Sequence, residues 1–198
     1  MCLCGLLTNP QAYRKVQAEI DAFFDSHPEY HNSHDIVAYN DAKDPANFPY
    51  LLSCIRETFR LWPPTSSLFS KQVPDDTGDT IAGFYLPPGT EVGQCMLAIG
   101  KNPRIWGDDV ADVAAWRPER WSLEEAGSQE KLEEMANAVD LVFSSGKYVC
   151  LGKHVAWMEL YKWFIEVSLA PFDVAAPLSR RFLALVAIGK LTDMDHRC

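Results

Sequence analysis

Long apolar runs are scarce in this sequence. The clearest one, residues 182–188, has only seven residues, whereas a membrane-spanning helix needs about 20. The first seven residues lack a basic leader and reach Asn9-Pro10 too soon for a secretory signal. We therefore expect neither a membrane span nor an export signal in this chain.

Cysteine is sparse and scattered. The six cysteines, at positions 2, 4, 54, 95, 150 and 198, form no repeated CxxC pairs and no zinc-finger spacing. Six in 198 residues is far below the content of a disulfide scaffold. This usage predicts a reducing, intracellular compartment.

Basic residues are outnumbered, 18 against 27 acidic ones, and the net charge is -9. Such a chain repels phosphate backbones, so we expect no nucleic-acid partner. The sequence also contains no G-x-S-x-G elbow, G-x-G-x-x-G, phosphate loop, H-E-x-x-H or C-x-x-C-H haem attachment motif. Hydrolase, nucleotide-binding and zinc-protease functions are therefore unsupported.

Helical patterns dominate what is present. The 198 residues, 47% of them hydrophobic, suffice for one domain or a part of one. A helix is predicted from the Asn9 cap to residue 27, and another from Tyr50 to the stop at Pro63-Pro64. The Glu-rich run 123–137 and the segment after Gly152 are also predicted to be helical.

Strand patterns are confined to residues 65–100. Residues 80–86 and 90–92 flank Pro87-Pro88-Gly89, a turn signal that predicts a hairpin joining two strands. Residues 101–122 are predicted to be irregular. No internal repeat and no interdomain linker is evident.

The first motif that could carry chemistry is Glu57-Thr58-Phe59-Arg60. Glu57 and Arg60 share a helix face, and an exposed pair of this kind contributes only about 0.2–0.5 kcal/mol. Apolar neighbours, among them Ile55 and Trp62, would bury much of the same helix. A buried pair needs further partners, and Arg120 in the charged segment 116–121 could supply a second guanidinium. The alternative for that segment is a surface loop with stacked Arg–Trp pairs.

The second motif is the glycine-bearing loop from Phe143 to Gly152. It places Cys150 just before a predicted helix, whose N-terminus favours a thiolate. Gly146 and Gly152 allow a flat ligand to approach closely. The arrangement suits one axial bond to a planar metal cofactor. An inert buried cysteine is the alternative, and the loop alone does not decide between them.

In this order the motifs resemble the cytochrome P-450 superfamily of haem-thiolate monooxygenases. Glu57–Arg60 matches its ExxR helix, residues 118–120 its PER segment, and residues 143–152 its haem loop, F-x-x-G-x-R/H-x-C-x-G. The resemblance covers residues 3–170. It implies an α+β, mainly α fold, namely the C-terminal portion of the family fold with a small antiparallel sheet and the distal half missing. We expect a single partial domain over residues 1–198, in which 178–198 match the family poorly.

The resemblance also implies roles for individual residues. Cys150 would be the axial thiolate on the iron of heme b, and Lys71 would bind a haem propionate. Tyr148 stands where the family usually has Arg or His, and Lys147 would compensate for the missing charge. The segment 65–69 would line the substrate pocket. The remaining implied residues are Phe143, Gly146 and Gly152 at the cofactor, and Glu57, Arg60 and Arg120 in an interior ion cluster. No catalytic residue is identified, because the oxygen-activating distal helix is not found in this chain.

The implied activity is insertion of one oxygen atom of O₂ into a small organic substrate, in the manner of fungal secondary-metabolite enzymes. Electrons would come from an NADPH-dependent reductase. Full-length relatives of this type are often anchored in the endoplasmic-reticulum membrane, but we expect no anchor within these 198 residues. Two alternatives stay open: a truncated, catalytically inactive remnant or incomplete gene model, and a plain α+β domain with an inert Cys150.

Overall fold

A computed structural model describes residues 1–30, 37–66, 68–74 and 77–169 of the chain. Within these ranges helices predominate and strands are few, which confirms the prediction of a mainly helical α+β fold. The segment 178–198, which is expected to match the family poorly, lies outside the described residues. No helix in the described part is long and apolar enough to cross a membrane.

Ten α-helices form within the described ranges. In chain order they are Cys2–Thr8 (α1), Pro10–Ser26 (α2), Tyr39–Ala42 (α3), Pro49–Leu61 (α4), Met96–Ile99 (α5), Pro103–Trp106 (α6), Val110–Ala114 (α7), Leu123–Ala126 (α8), Gln129–Asp140 (α9) and Lys153–Leu169 (α10). Short 3₁₀ turns cover Pro28–Tyr30, Pro118–Trp121, Leu141–Phe143 and Gly146–Tyr148. The segment 101–122, predicted to be irregular, thus contains two short helices and one of these turns.

The two predicted N-terminal helices form close to their expected bounds. Both α2 and α4 begin with proline, whose fixed φ and missing N–H suit the first helical position. Asn9 occupies the cap position of α2 but makes no side-chain cap hydrogen bond. At the start of α4, the Glu19 carboxylate of α2 accepts hydrogen bonds from Tyr50 N at 2.7 Å and Leu51 N at 2.9 Å. This anion at a helix N-terminus joins the two helices.

The strands pair differently from the prediction. Phe69–Gln72 (β1) pairs antiparallel with Glu91–Gln94 (β4), and Asp79–Ile81 (β2) pairs antiparallel with Phe84–Leu86 (β3). The predicted hairpin about residues 87–89 is therefore wrong, since β3 and β4 are not partners. The actual turn is Ala82-Gly83, where both residues have positive φ, 50° and 85°. A two-residue turn of that kind matches the twist of the strands it joins.

The Glu-rich run also differs in one respect from its prediction. It is helical, but it is divided into α8 and α9 at Gly127, which has a left-handed φ of 81°. Ser122 and Ser128 accept backbone hydrogen bonds at the starts of α8 and α9. Two capped helices therefore replace one, because glycine ends a helix at low cost in this conformation.

One hydrophobic core underlies these elements. It is built mainly on α4, whose apolar side chains are buried together with those of α1, α2, α9 and α10. Its fully buried members include Ile20, Phe48, Leu51, Ile55 and Ile165. Because α4 lies in the middle of this core, both faces of the helix are fixed in position. The functional residues that α4 carries are held equally firmly.

Candidate functional site

A buried ion cluster surrounds Glu57 in the middle of α4. Glu57 is fully buried and Arg60 is 2% exposed. Arg60 Nε donates to Glu57 Oε2 at 2.9 Å and Arg60 Nη2 donates to Glu57 Oε1 at 2.7 Å. Two parallel bonds between a planar guanidinium and a carboxylate give the strongest form of this pair. The spacing of three residues on one helix therefore forms a bidentate buried contact.

The PER segment supplies the other partners of Glu57. Arg120 Nε donates to Glu57 Oε1 at 2.8 Å, and Arg117 N donates to the same oxygen at 3.0 Å. Trp121 Nε1 donates to Glu57 Oε2 at 3.1 Å. The carboxylate accepts five hydrogen bonds in all, counting those from Arg60. This compensation is what a buried charge requires.

Backbone carbonyls satisfy the rest of Arg60. Its Nη1 donates to Gly100 O and Val113 O, both at 2.8 Å, and its Nη2 donates to Ala115 O at 3.1 Å. Gly100 comes so close that a Cβ atom on it would lie 2.1 Å from Arg60 O. Arg60 therefore joins α4 to the ends of α5 and α7.

Asp112 is the outer member of the cluster. Arg120 Nη1 donates to Asp112 Oδ2 at 3.0 Å, and the Arg117 guanidinium lies 2.9 Å from Asp112 Oδ1. Partial burial opposes ionisation of Asp112, but the hydrogen bonds and positive charges of Arg120 and Arg117 outweigh it and hold its pKa below the ordinary value. When Asp112 is included, the negative charges of Glu57 and Asp112 balance the positive charges of Arg60 and Arg120. Arg117 forms a further ion pair with Glu125.

The Cys150 loop is anchored to the core through Phe143. Phe143 is 8% exposed and meets the Phe59 ring edge-on, with centroids 5.6 Å apart. Cys150 N donates to Phe143 O at 2.8 Å, which closes the loop, and Lys153 N donates to Cys150 O at 3.2 Å. Cys150 thus immediately precedes α10. Since Phe59 lies between Glu57 and Arg60 in the sequence, α4 supports both the ion cluster and this loop.

The Cys150 thiol is exposed, in contrast to the cysteines of the core. Cys2 and Cys54 are buried, and burial raises the pKa of both thiols, that of Cys2 to about 11. The surface beside Cys150 is apolar and open, since Leu151 is 98% exposed and Val155 is 52% exposed. An exposed thiol within an exposed apolar surface suits a metal-centred planar ligand.

The two glycines of the loop, Gly146 and Gly152, differ in what they contribute. Gly146 has a φ of 58°, a conformation that side-chain-bearing residues adopt only with strain, and a Cβ there would meet nothing within 4 Å. A Cβ on Gly152 would meet only Cys150 Sγ, at 3.7 Å. Gly146 therefore permits the backbone conformation of the loop, whereas Gly152 keeps the space beside the thiol open.

Positive charge gathers at the other side of the loop. Lys71 Nζ of β1 donates to Ser144 Oγ at 2.8 Å and lies 4.7 Å from the centroid of the Tyr148 ring. Lys147 Nζ lies 5.1 Å from the same ring. The ring holds two ammonium groups near each other through cation–π contacts. Lys71, Lys147 and Tyr148, which the sequence singles out separately, are thus brought together.

The sequence-predicted residues therefore form two groups joined by Phe59. Glu57, Arg60 and Arg120 meet in the ion cluster, whereas the loop that carries Cys150 contacts Lys71 through Ser144 and Tyr148. Sequence reasoning missed three partners: Trp121 and Asp112 in the cluster, and Ser144 beside Lys71. The two tryptophans around the PER segment were a signal for Trp121. Asp112 and Ser144 carry no local signal, because their partners come from other segments.

Of the predicted pocket-lining segment 65–69, residue 67 and the side chain of residue 69 lie outside the description.

The donor set fits an iron-bearing macrocycle with acidic side groups. The exposed Cys150 thiol would supply one axial ligand, as in haem-thiolate proteins. The open apolar surface of Leu151 and Val155 would face a flat ring. Lys71 and Lys147 would face its carboxylates. Within the described residues, no cluster of three or more His, Cys, Asp or Glu offers an alternative metal site.

Comparison with known proteins shows which family this chain resembles. The family model of cytochrome P-450 matches residues 1–181. A cytochrome P-450 monooxygenase of Aspergillus terreus is 33% identical over 170 residues, which are 86% of this chain and 31% of that protein. The cytochrome P-450 monooxygenase ABA1 of Pyricularia oryzae is 36% identical over 171 residues, again 86% and 31%. The monooxygenase esdpH of Penicillium shearii is 40% identical over 132 residues, 67% of this chain and 25% of that protein. The chain thus spans less than a third of the length of these relatives.

Proposed function

The chain belongs to the cytochrome P-450 family, and we propose that it forms the thiolate-bearing part of a haem-dependent monooxygenase, with Cys150 as the axial ligand. The observation that carries the proposal is the exposed Cys150 thiol, held on a glycine-bearing loop that is anchored to α4 through Phe143. The cysteines of the core, by contrast, are buried. Bound haem would supply the activation of O₂ for insertion into an organic substrate.

Cys150 would hold the haem iron through its sulfur. The residue immediately precedes α10, and its carbonyl oxygen accepts a hydrogen bond from Lys153 N at 3.2 Å. The hydrogen bond from Cys150 N to Phe143 O fixes the loop that carries the sulfur. Gly152 would let the haem ring lie close to the start of α10, because it has no Cβ atom beside the Cys150 sulfur.

Lys71, Lys147 and Tyr148 would hold the acidic edge of the cofactor. Each ammonium offers donors and a positive charge, and the Tyr148 ring lies within 5.1 Å of both. Tyr148 would contribute one hydrogen bond and the platform that positions the lysines. The charge that Arg or His usually brings to this loop position would thus come from two neighbours.

The ion cluster of Glu57, Arg60 and Arg120 would act indirectly. It fixes α4, and α4 presents Phe59 to the Phe143 anchor of the Cys150 loop. These residues would therefore be positioning residues rather than catalytic ones. Rigid support of this kind keeps an axial ligand in place against thermal motion.

The proposed reaction also needs a substrate and an electron donor that are separate from this chain. We propose a small organic substrate, an NADPH-dependent reductase as electron donor, and a place in fungal secondary-metabolite biosynthesis. The fungal relatives named cytochrome P-450 monooxygenases support this reading. The five described cysteines are free, which fits a reducing, intracellular compartment.

The test is a spectrum of the full chain loaded with haem, reduced and exposed to carbon monoxide. We expect the strongly red-shifted Soret band of a thiolate-ligated complex. The band should be lost in Cys150→Ser. Cys4→Ser and Cys95→Ser are matched controls, because both residues are also exposed, and both variants should keep the band.

Two results would contradict the proposal. A spectrum typical of histidine ligation or of free haem in the parent chain would show that the chain does not build the thiolate site itself. A thiolate spectrum that persists in Cys150→Ser would assign the ligand to another cysteine. The first result would favour the inactive-remnant alternative for this chain.

A further inference from the structure

Ser144, at the start of the Cys150 loop, has a strained backbone. Its dihedral angles are φ 61° and ψ −171°, a region that is almost exclusive to glycine because the Cβ atom of any other residue crowds the backbone there. Within the described ranges Ala82 is the only other non-glycine residue with positive φ. Ala82 lies in the tight turn between β2 and β3, whereas Ser144 directly follows the Phe143 anchor. The strain of Ser144 therefore lies in the loop that would carry haem in the proposed function.

Serine is not the residue that this backbone conformation favours. Glycine would adopt the same angles without strain. Ser144 N donates to Leu141 O at 2.8 Å, and a glycine would make this backbone bond equally well. What serine adds at this position is its Oγ atom. The reason for a strained serine should therefore be found in the contact that Oγ makes.

The Ser144 hydroxyl has a defined partner. Lys71 Nζ donates to Ser144 Oγ at 2.8 Å in a partly buried position, across a separation of 73 residues. The bond joins β1 to the loop. Gln94 of β4, the strand paired with β1, donates to Leu141 O at 2.9 Å. The sheet is thus bonded to the segment 141–144 at two points, of which only the Ser144 contact depends on a side chain of that segment.

The bond to Ser144 limits where the Lys71 ammonium group can lie. This group sits at the end of a flexible four-carbon stem. Lys71 and Lys147 both lie near the Tyr148 ring, and like charges near one ring repel each other. The bond to Ser144 opposes this repulsion on the Lys71 side. A hydroxyl acceptor also fixes an ammonium group without neutralising it, which a carboxylate would do.

We propose that Ser144 is a positioning residue, which holds the Lys71 ammonium group in place for a carboxylate of haem at the expense of backbone strain. The inference rests on the proposed function, because it takes the haem carboxylates as the groups that Lys71 would meet. A donor that is fixed in advance loses less entropy on binding, whereas the strain destabilises the ligand-free chain. Removal of both should change stability and haem affinity in opposite directions.

Two variants separate the hydroxyl from the backbone. Ser144→Ala removes Oγ and keeps the strain, whereas Ser144→Gly removes both. The full chain of each is titrated with haem and with haem dimethyl ester, whose two side groups carry no charge. We expect both variants to bind haem about three- to fivefold more weakly than the parent, the effect of one partly exposed charge contact. Both should bind the diester as the parent does, because it offers no carboxylate to Lys71.

Thermal unfolding of the ligand-free chains measures the strain. Ser144→Gly should melt about 2–4 °C above Ser144→Ala, because both lack the hydroxyl and the alanine keeps the unfavourable angles. Ser145→Ala is the matched control. Ser145 is the next residue, is exposed, has an extended backbone with φ −147°, and makes no side-chain cap hydrogen bond. This control should change neither the melting temperature nor the affinity for either ligand.

Three results would overturn the proposal. The first is a haem affinity that Ser144→Ala leaves unchanged. The second is an equal loss of affinity for haem and for the diester, which would show a structural effect on the loop instead of a charge contact. The third is a Ser144→Gly chain that melts no higher than Ser144→Ala.

The carbon monoxide spectrum separates this proposal from the proposed function. Haem bound by the parent without the thiolate band would contradict the ligand role of Cys150 alone. A thiolate band in the parent, together with unchanged affinity in Ser144→Ala, would contradict the positioning role of Ser144 alone. A parent chain that binds no haem would contradict both.

Discussion

The ion cluster and the Cys150 loop are both supported by α4, yet they differ in how completely their polar groups are satisfied. Glu57 is fully buried and accepts five hydrogen bonds from within the chain. Cys150 is exposed, beside a leucine that is 98% exposed. The polar groups of the ion cluster are satisfied within the chain, whereas the surface beside Cys150 is the one that the proposed function assigns to haem.

The residues of the cluster and those of the loop therefore differ in whether the fold depends on them. The cluster needs its residues for the fold itself, because an unpaired buried charge is strongly destabilising. In the proposed function the loop residues serve a ligand, so we expect that most of them can change with little effect on the fold of the ligand-free chain. Stability and cofactor binding should therefore respond to different substitutions.

The largest effect is expected for Glu57→Gln. Removal of the buried carboxylate leaves Arg60 and Arg120 without their shared counter-charge, and we expect a loss of about 3–5 kcal/mol in the free energy of unfolding. Urea denaturation of the parent and the variant measures it. The control is Glu133→Gln on the exposed face of α9, which should change stability by no more than about 0.5 kcal/mol. Similar values for the two variants would remove the distinction between the regions.

A pair of glycine substitutions sharpens the comparison. In Gly100→Ala the new methyl group would lie 2.1 Å from Arg60 O, so the backbone must shift; we expect a loss of about 1–3 kcal/mol. In Gly152→Ala the methyl group would meet only Cys150 Sγ at 3.7 Å, so the ligand-free chain should unfold like the parent. The same Gly152→Ala variant should bind haem more weakly in a titration. A large stability loss in Gly152→Ala, or none in Gly100→Ala, would contradict this assignment.

The smallest effect concerns the solvent edge of the cluster. The pKa of Asp112 is held below its ordinary value of 3.8, because Arg120 and Arg117 outweigh the effect of partial burial. A carboxyl whose pKa is lowered by folding stabilises the protein above the unfolded pKa, and this contribution is lost as pH falls through the folded pKa. Asp112→Asn should therefore flatten the acid side of the stability curve, by less than about 1 kcal/mol since the pair is partly exposed. Unfolding curves at about pH 6 and pH 3 measure this, and a steeper loss in the variant would contradict it.

The sequence allowed prediction where the signal is local. Prolines mark the starts of α2 and α4, and the spacing of Glu57 and Arg60 places them on one helix face. The need of a buried pair for further partners then pointed to Arg120, and the resemblance to the cytochrome P-450 family implied the same cluster. The mainly helical fold follows from the same local patterns.

Prediction failed where the deciding contact is distant or where two turn signals compete. Pro87-Pro88-Gly89 is a strong turn signal, but the hairpin closes at Ala82-Gly83, because β4 pairs with the distant β1. Likewise, nothing near Asp112 or Ser144 in the sequence reveals their partners, which come from other elements. Long-range pairing is set by packing, which one sequence does not display.

The bonds to Glu57 have a consequence for the order in which the chain can fold. Its contact with Arg60 spans three residues, whereas those with Arg117, Arg120 and Trp121 span 60, 63 and 64 residues. Closing a loop of that length costs entropy before any contact forms. During synthesis, α4 therefore emerges with its carboxylate served by Arg60 alone, and only the arrival of the PER segment makes its burial favourable. Burial of Glu57 is therefore coupled to the packing of residues 117–121 against α4.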